Sequence, residues 1–136
     1  MKTILKRKQN YEGSFKMGNI LRVAHGEKIQ MSLIVQDEDF VGVDLTGSIL
    51  KLTVKRNLKD SDESAVMVKT TAEGEGITLT DPLKGSAEIQ INPSDLDGVE
   101  AGSFYYDLSF VNEEDTERVL LIRADLFIIE ERVSDS

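Results

Sequence analysis

The chain has 136 residues and a formal net charge of −9, with 40% hydrophobic residues, 30% charged residues and no cysteine. This balance is typical of one soluble globular domain with its own apolar core, and the lack of cysteine excludes disulfides, thiolate metal sites and cysteine catalysis. No apolar run approaches the ~20 residues that span a bilayer, and the basic start MKTILKRKQN lacks the apolar segment of a secretory signal. We therefore expect no membrane association, and synthesis and folding in a cytoplasm.

The charges are distributed unevenly along the chain. Residues 1–22 carry six basic residues against one acidic residue, a net charge of +5, whereas the remainder carries 10 basic and 24 acidic residues, a net charge of −14. A basic arm on an acidic body suggests docking against an acidic neighbour, such as another copy of the chain, and a solvated terminus is the alternative. Nucleic-acid binding by the body is not expected, because its negative charge repels phosphate.

Apolar residues at every second position predict a series of half-buried strands. In chain order, the side chains expected to face the core are Ile29, Met31, Leu33 and Val35; Leu50, Leu52 and Val54; Val66 and Val68; Ile77 and Leu79; Ala87, Ile89 and Ile91; Phe104, Tyr106, Leu108 and Phe110; and Leu120, Ile122, Ala124, Leu126 and Ile128. The length of the last segment predicts a long strand that is bent by a bulge.

Two further segments have a different pattern. Asn92–Gly102 carries a helix start signal, with Pro93 at the first helical position and acids behind it, and predicts a single helical turn. Residues 10–24 are too apolar for a free tail. They predict either an edge strand of this domain or a strand that pairs with the sheet edge of a neighbouring subunit.

About seven strands, separated by turn signals roughly every 8–15 residues, predict an all-β fold. The expected architecture is an immunoglobulin-like antiparallel β-sandwich with an N-terminal arm. The expected organisation is a basic arm or edge strand over residues 1–23, the sandwich over residues 24–132 and a short C-terminal tail over residues 133–136.

Few residues could carry chemistry. The one histidine, His25, precedes a glycine at a predicted strand boundary and lacks partners for a triad or a metal cluster, so we expect a turn role. Four acidic clusters predict solvated turns, with an occasional calcium site as the alternative, because none has the residue order of an EF-hand. These clusters are Asp37–Asp39, Asp60–Glu63, Asp95–Asp97 and Glu113–Asp115.

A glycosidase would need two such carboxylates across a cleft that holds a sugar, usually on aromatic platforms. Tryptophan is absent, and Tyr105 is the one aromatic side chain that the alternation places away from the core and leaves for a partner. We therefore expect no catalysis, no metal and no cofactor.

The order of five short motifs is more informative than any one of them. His25 to Arg56 reads HGEKIQMSLIVQDEDFVGVDLTGSILKLTVKR, and is followed by GITLTDPLKG (Gly76–Gly85), PSDL (Pro93–Leu96), GSFYYDL (Gly102–Leu108) and RVLLIRADLFI (Arg118–Ile128). Together these motifs resemble the immunoglobulin-like domain of tailed-bacteriophage virion proteins. The modules concerned belong to tail fibres and to the N-terminal part of baseplate upper proteins. The similarity covers roughly Ala24 to Glu130.

The resemblance implies a non-enzymatic structural component of a bacteriophage or prophage-derived virion, in its tail, baseplate or fibre. Its expected partners are other virion proteins and copies of itself, with a homo-oligomer in the assembled particle. Head decoration, or attachment to a surface through carbohydrate or calcium, is the alternative. The candidate docking residues are Lys2, Lys6, Arg7, Lys8, Tyr11, Phe15, Lys16 and Tyr105.

The Asp-Leu-Thr-Gly segment predicts a tight structural corner before the second strand. We expect the side chains of Asp44 and Thr46 to hydrogen-bond local backbone, and Gly47 to take a left-handed conformation. Leu45 is expected to plug the end of the core.

Overall fold

The computed structural model describes residues 2–7, 20–57, 59–112 and 118–131. The described residues form nine strands: β1 Lys2–Arg7, β2 Leu21–Ala24, β3 Ile29–Gln36, β4 Ser48–Lys55, β5 Met67–Thr70, β6 Ile77–Asp81, β7 Ser86–Ile91, β8 Gly102–Asn112 and β9 Arg118–Glu130. Short 3-10 turns occupy Asp62–Ser64, Pro82–Lys84 and Pro93–Leu96. The predicted all-β fold is confirmed.

The strands form two sheets that pack as a sandwich. The four-stranded sheet has the order β1-β3-β7-β6, and the five-stranded sheet has the order β2-β9-β8-β4-β5. Neighbouring strands are antiparallel except β2 and β9, which are parallel. The edges of the sandwich are therefore β1 and β2 on one side and β5 and β6 on the other.

The core lies between the inner faces of the two sheets. The side chains predicted to face the core from β3, β4 and β7 are buried. The exposed fraction is also no more than 3% for three side chains of β8, which are Phe104, Tyr106 and Leu108. The Tyr106 and Phe127 rings meet edge to face, with centroids 6.3 Å apart and an interplanar angle of 74°. For these strands the alternation in the sequence identified the core face correctly.

Tyr106 makes the core sensitive to alkali. Burial, together with the nearby charge of Asp125, raises the pKa of Tyr106 far above its ordinary value. The folded state therefore keeps the phenol proton above about pH 10, where an unfolded tyrosine loses it. Stability is unaffected below that pH and should then fall by about 1.4 kcal/mol per pH unit.

The measurement is urea unfolding between pH 8 and 12 for the unaltered chain and for Tyr106→Phe. The difference between the two unfolding free energies isolates the contribution of the phenol from that of the ionisable groups that the two chains share. We expect this difference to be constant up to about pH 10. Above that pH, the unaltered chain should lose stability relative to Tyr106→Phe. A difference that stays flat to pH 12 would contradict the assignment.

Both ends of the N-terminal arm belong to the chain's own sheets. β1 pairs antiparallel with β3, and β2 runs parallel to β9. Leu5, Leu21 and Val23 are 1%, 3% and 2% exposed and belong to the core. The sequence leaves open whether the arm forms an edge strand of this domain or pairs with a neighbouring subunit. Residues 2–7 and 21–24 form edge strands of this domain, and residues 8–19 lie outside the described part of the chain.

The phase predicted for β5 is wrong by one residue. Val68 was expected to face the core but is 38% exposed, whereas its neighbours Met67 and Lys69 point inward and are 5% and 6% exposed. A one-residue shift moves every side chain of a strand to the opposite face. The inward position of Lys69 depends on a partner that lies far away in sequence, described below.

The phase predicted for β9 is correct at Ile122 and wrong at other positions. Leu120 is 49% exposed, and Phe127 and Ile129 face the core where Leu126 and Ile128 were expected. The cause is the predicted bulge, which is present as two register shifts between β8 and β9. Each shift places one extra residue on β9, so the alternation changes face along the strand.

Ala124 in the bulge has a left-handed backbone, with φ of 51°. Its N–H donates to Asp107 Oδ1 across the sheet at 2.7 Å. The β-carbon makes this conformation costly for alanine, so the Asp107 carboxylate is the group that holds the bulge in place.

Ala124→Gly should raise the free energy of unfolding by about 0.5–1 kcal/mol, since glycine takes a left-handed conformation without strain. Asp107→Ala should lower it by about 1–3 kcal/mol, because the partly buried N–H of Ala124 loses its acceptor. Asp107→Asn keeps an acceptor oxygen and serves as the control, with a smaller loss expected. Urea unfolding followed by circular dichroism measures all three, and equal losses for the two Asp107 variants would contradict the role of the carboxylate as an acceptor.

Candidate interaction surfaces

The Asp44–Gly47 segment forms a closed corner before β4. Asp44 Oδ1 accepts a hydrogen bond from Thr46 N at 2.9 Å, and the Thr46 hydroxyl and N–H together lower the pKa of Asp44 below its ordinary value. Leu45 is completely buried, and Gly47 has φ of 74°. The corner seals one end of the core and sets the start of β4.

This corner also joins two sequence motifs that are far apart along the chain. Leu45 N donates to Pro82 O at 2.7 Å, and Val35 N donates to Gly85 O at 2.9 Å. Gly85 itself packs against the backbone of Val35 and Val43. The end of β3, the corner and the turn before β7 therefore form one interlocked unit.

A cleft of about 760 Å³ opens on the side of the sandwich where β5 and β6 are the edges. Lys69 lines it and extends inward to Asp95, with Nζ 2.5 Å from Oδ2. The side chains of Lys69 and Asp95 are 7% and 23% exposed. Asp95 Oδ2 also accepts a hydrogen bond from Asn92 N at 2.6 Å, so the 3-10 turn after β7 holds the carboxylate in place for the ammonium.

Lys69 and its surroundings make this side of the sandwich a poor docking edge. An inward-pointing charge on an edge strand is one of the ways in which proteins prevent a sheet from pairing with another chain. The two edges are also bridged to each other between Thr70 and Gly76, where Thr70 N donates to Glu75 O at 3.3 Å. Contacts with partners are therefore better made through the sheet faces and loops.

The large hydrophobic side chains that are exposed in the described residues fall into two groups. The first, here called the apolar face, lies on the outer surface of the five-stranded sheet and consists of Ile49, Val68 and Leu120, which are 46%, 38% and 49% exposed. Half-buried Tyr105, Val111, Leu126 and Ile128 complete the same outer surface. This sheet thus has apolar side chains on both sides.

The second group, here called the loop patch, lies at one end of the sandwich. It consists of Phe40, Val41 and Leu83, which are 63%, 59% and 69% exposed. The loop that carries Val41 and the turn that carries Leu83 are in contact, because the backbone of Gly42 packs directly on that of Lys84.

The loop that presents Phe40 is tightly held by Asp37. Asp37 Oδ1 accepts hydrogen bonds from Asp39 N at 2.8 Å and from Val41 N at 3.0 Å, and Asp37 N donates to Val41 O at 2.8 Å. Phe40 has φ of 64°, a strained conformation for a bulky residue. The hydrogen bonds of Asp37 therefore hold Phe40 in a strained backbone conformation with its side chain 63% exposed.

Both surfaces carry charged side chains. Strand alternation places Lys51, Lys55, Arg118 and Asp107 on the same outer surface as the apolar face, and Lys51 and Lys55 each have an interaction partner. In the described residues around the loop patch, the acids of Asp37–Asp39 and Asp81 lie near the basic Lys84.

Of the predicted docking residues, only Tyr105 has a described side chain. Tyr105 is half-buried on the outer surface of the five-stranded sheet, between Lys55 and Leu126. Lys2, Lys6 and Arg7 belong to β1, and their side chains are not described; Lys8, Tyr11, Phe15 and Lys16 lie outside the described residues.

His25 lies in the turn between β2 and β3, where its N–H donates to Glu130 O at 3.0 Å. No group of three or more histidine, cysteine or acidic side chains that could hold a metal occurs in the described ranges. Within the same ranges, no helix is long and apolar enough to cross a membrane.

Sequence reasoning missed both Lys69 and the apolar face. The two apolar residues at alternate positions before Lys69 predict that Lys69 points outward. Its inward orientation depends on the contact with Asp95, which the local sequence does not show. The outward orientation of Leu120 and Val68 depends on the bulge of β9 and on the phase of β5. The loop patch had a visible signal, since two adjacent apolar residues follow three acids in a predicted turn.

No protein-family model and no curated protein matches this chain.

Proposed function

We propose that this chain is a non-enzymatic assembly module of a tailed-bacteriophage or prophage-derived particle, acting in its tail, baseplate or fibre through contacts with other virion proteins. The observation that carries the proposal is the ordered series of motifs between Ala24 and Glu130. Two of these motifs, the corner and the Gly76–Gly85 segment, meet through the Leu45–Pro82 hydrogen bond. This contact supports the proposal, because the two motifs act together in one part of the fold.

The strand order supports the immunoglobulin-like part of the proposal. When β1, β3, β7 and β6 are lettered A, B, E and D, and β9, β8, β4 and β5 are lettered G, F, C and C′, the sheets have the orders A-B-E-D and G-F-C-C′. These are the orders that immunoglobulin sandwiches use. β2 then corresponds to a short additional strand beside G.

The surface supports a role in assembly. The outer side of the five-stranded sheet exposes Ile49, Val68 and Leu120, and the loop patch exposes Phe40, Val41 and Leu83 at one end of the sandwich. Grouped exposed apolar side chains are a feature of surfaces that contact other proteins. The cleft offers less to a reaction, because Lys69 and Asp95 are paired with each other. We therefore place the function in the outer surfaces of the sandwich.

The proposal is tested on purified particles from a host that makes this chain. Mass spectrometry should detect the chain in stoichiometric amounts in intact particles, and cryo-electron microscopy should place a two-sheet module of this size in the tail, baseplate or fibre. If the chain is absent from particles that are otherwise complete, the proposal is wrong. Its presence at trace level only would likewise contradict a structural role.

A further inference from the structure

We infer that the loop patch is a docking surface, and that its partner is an apolar pocket with a basic rim on a different protein of the particle. The inference rests on the proposed function and adds to it one surface and the chemistry of the partner. It starts from the exposed fractions of Phe40, Val41 and Leu83. These are the three highest among the large hydrophobic side chains of the described residues.

The outer surface of the five-stranded sheet is a weaker candidate for the same role. Between Val68 and Leu120 the strand register places Thr53, Asp107 and Ser109. Polar side chains therefore interrupt the apolar ones on the sheet, whereas the three apolar side chains of the loop patch lie on two segments in direct contact.

Contacts within the chain position the loop patch. A bridge between Gln36 and Gly42 closes the loop at its base, and the Asp37 carboxylate accepts two backbone hydrogen bonds inside it. A β-carbon on Gly42 would lie 2.1 Å from Lys84 O, so the loop packs closely on the turn that carries Leu83. A surface that is already ordered loses little conformational freedom when a partner binds.

The backbone of Phe40 points to a role in binding. Its φ of 64° is unusual for a bulky residue, and strained backbone of this kind is concentrated at binding and active sites. Asparagine or glycine takes this conformation more readily, so the conformation of the loop does not require phenylalanine. Aromatic side chains that enter a pocket of the partner carry much of the binding free energy in protein interfaces.

The charges around the loop patch define the rim of the partner. Residues 36–47 and 81–85 contain five acids and one basic residue, Lys84. If Lys2 is also counted, because its strand pairs with Gln36 at this end, five acids face two basic residues, a net charge of −3. In the described part of the chain none of the five carboxylates forms an ion pair. Basic side chains around the pocket of the partner complement this charge. The five acids are Asp37, Glu38, Asp39, Asp44 and Asp81.

The same charge disfavours other occupants. Nucleic acid and an anionic lipid surface are repelled by the acids. A second copy of the chain is also a poor partner, because its residues 23–136 carry 10 basic and 24 acidic residues, a net charge of −14. A different protein with a basic surface is therefore the expected occupant.

The first test measures incorporation into particles. The unaltered chain and a variant are produced together at equal levels in the host, and mass spectrometry gives their ratio in purified particles. Phe40→Asn should be depleted at least about tenfold, because it removes the aromatic anchor, while its urea midpoint should be no lower than that of the unaltered chain. Leu83→Ser, at an exposed position with φ unchanged, is a second variant and should also be depleted. Equal incorporation of both variants and the unaltered chain would overturn the inference.

The second test addresses the basic rim. Asp39→Lys reverses an exposed acid beside Phe40 and should be depleted about threefold or more. Asp97→Lys makes the same change of charge at an exposed position behind the end of β7, whereas the loop patch adjoins the turn before β7. This matched control should be incorporated as the unaltered chain is. Equal depletion of the two lysine variants would contradict a basic rim at the loop patch.

Crosslinking in intact particles identifies the partner. Leu83→p-benzoylphenylalanine, irradiated in the particle, should form a crosslink to another virion protein at apolar residues flanked by lysine or arginine. Thr78→p-benzoylphenylalanine, at an exposed position on the outer surface of the four-stranded sheet, is the matched control and should not give this product. A product that joins two copies of this chain, or no product at position 83, would overturn the inference.

The inference and the proposed function fail through different results. If the unaltered chain is absent from particles, the proposed function is wrong. If it is present and the Phe40 and Leu83 variants are incorporated equally well, the proposed function stands and the docking role of the loop patch is wrong.

Discussion

Gly85→Ala should lower the free energy of unfolding by about 3–4 kcal/mol, an effect close to the upper end for a single substitution. Gly85 has φ of 75°, and a β-carbon at this position would lie 2.3 Å from Val35 O and 2.9 Å from Val43 O. The left-handed backbone costs alanine about 1–2 kcal/mol. Steric overlap of the β-carbon with backbone atoms adds about 1–3 kcal/mol, because neither carbonyl group can rotate away without moving the backbone of its segment.

Gly47→Ala is the matched control for this prediction. Gly47 has nearly the same backbone, with φ of 74°, but a β-carbon there would have no atom within 4 Å. In this variant, the free energy of unfolding is lowered by the backbone strain alone, by about 1–2 kcal/mol. Urea unfolding at neutral pH, followed by circular dichroism, gives both values, and a Gly85→Ala loss no larger than that of Gly47→Ala would contradict the close packing of the turn on β3.

Lys69→Met should lower the free energy of unfolding by about 2–4 kcal/mol, although methionine is the more hydrophobic residue. The side chain of Lys69 is 7% exposed and its ammonium contacts Asp95, which is 23% exposed. Removing one partner of a buried ion pair leaves the other charge without compensation, at a cost of about 3–5 kcal/mol for complete burial. The remaining hydrogen bond from Asn92 N to Asp95 and the partial exposure of Asp95 reduce this cost.

A double-mutant cycle separates the pair from the packing of the two side chains. Asp95→Asn should also destabilise the protein, and Lys69→Met combined with Asp95→Asn should be less destabilised than the sum of the single variants by about 1–3 kcal/mol. Val68→Ala, on the same strand but pointing outward, controls for the loss of side-chain contacts on β5. A coupling free energy below about 0.5 kcal/mol would show that the pair does not hold the edge of the sandwich.

The loop patch is connected to the Asp44–Gly47 corner through one turn. Leu83 lies in the turn between Pro82, which accepts a hydrogen bond from Leu45 N, and Gly85, which packs on β3. A variant such as Gly85→Ala should therefore disturb the loop patch as well as the core.

The candidate surfaces were only partly accessible to sequence reasoning. An exposed Phe40 next to acids in a turn can be suspected from the sequence. The apolar face cannot, because Leu120 lies in an alternating segment that predicts burial. The register shift between Ile122 and Leu120 turns Leu120 outward, and it depends on pairing with β8. The other shift holds Ala124, whose N–H is bonded to Asp107, 17 residues away.

Local patterns in the sequence were sufficient to predict the all-β fold, most of its core and the Asp44–Gly47 corner, because side-chain alternation and turn chemistry are local properties of a chain. The pairing of distant segments sets which strands are edges, which side chain of β5 is buried and where β9 changes face. These depend on partners that no local pattern contains, such as Asp95 for Lys69 at a separation of 26 residues. Since a shift of one residue reverses a strand, the inward position of Lys69 on β5 and the register shift on β9 were enough to place Val68 and Leu120 on the surface instead of in the expected core.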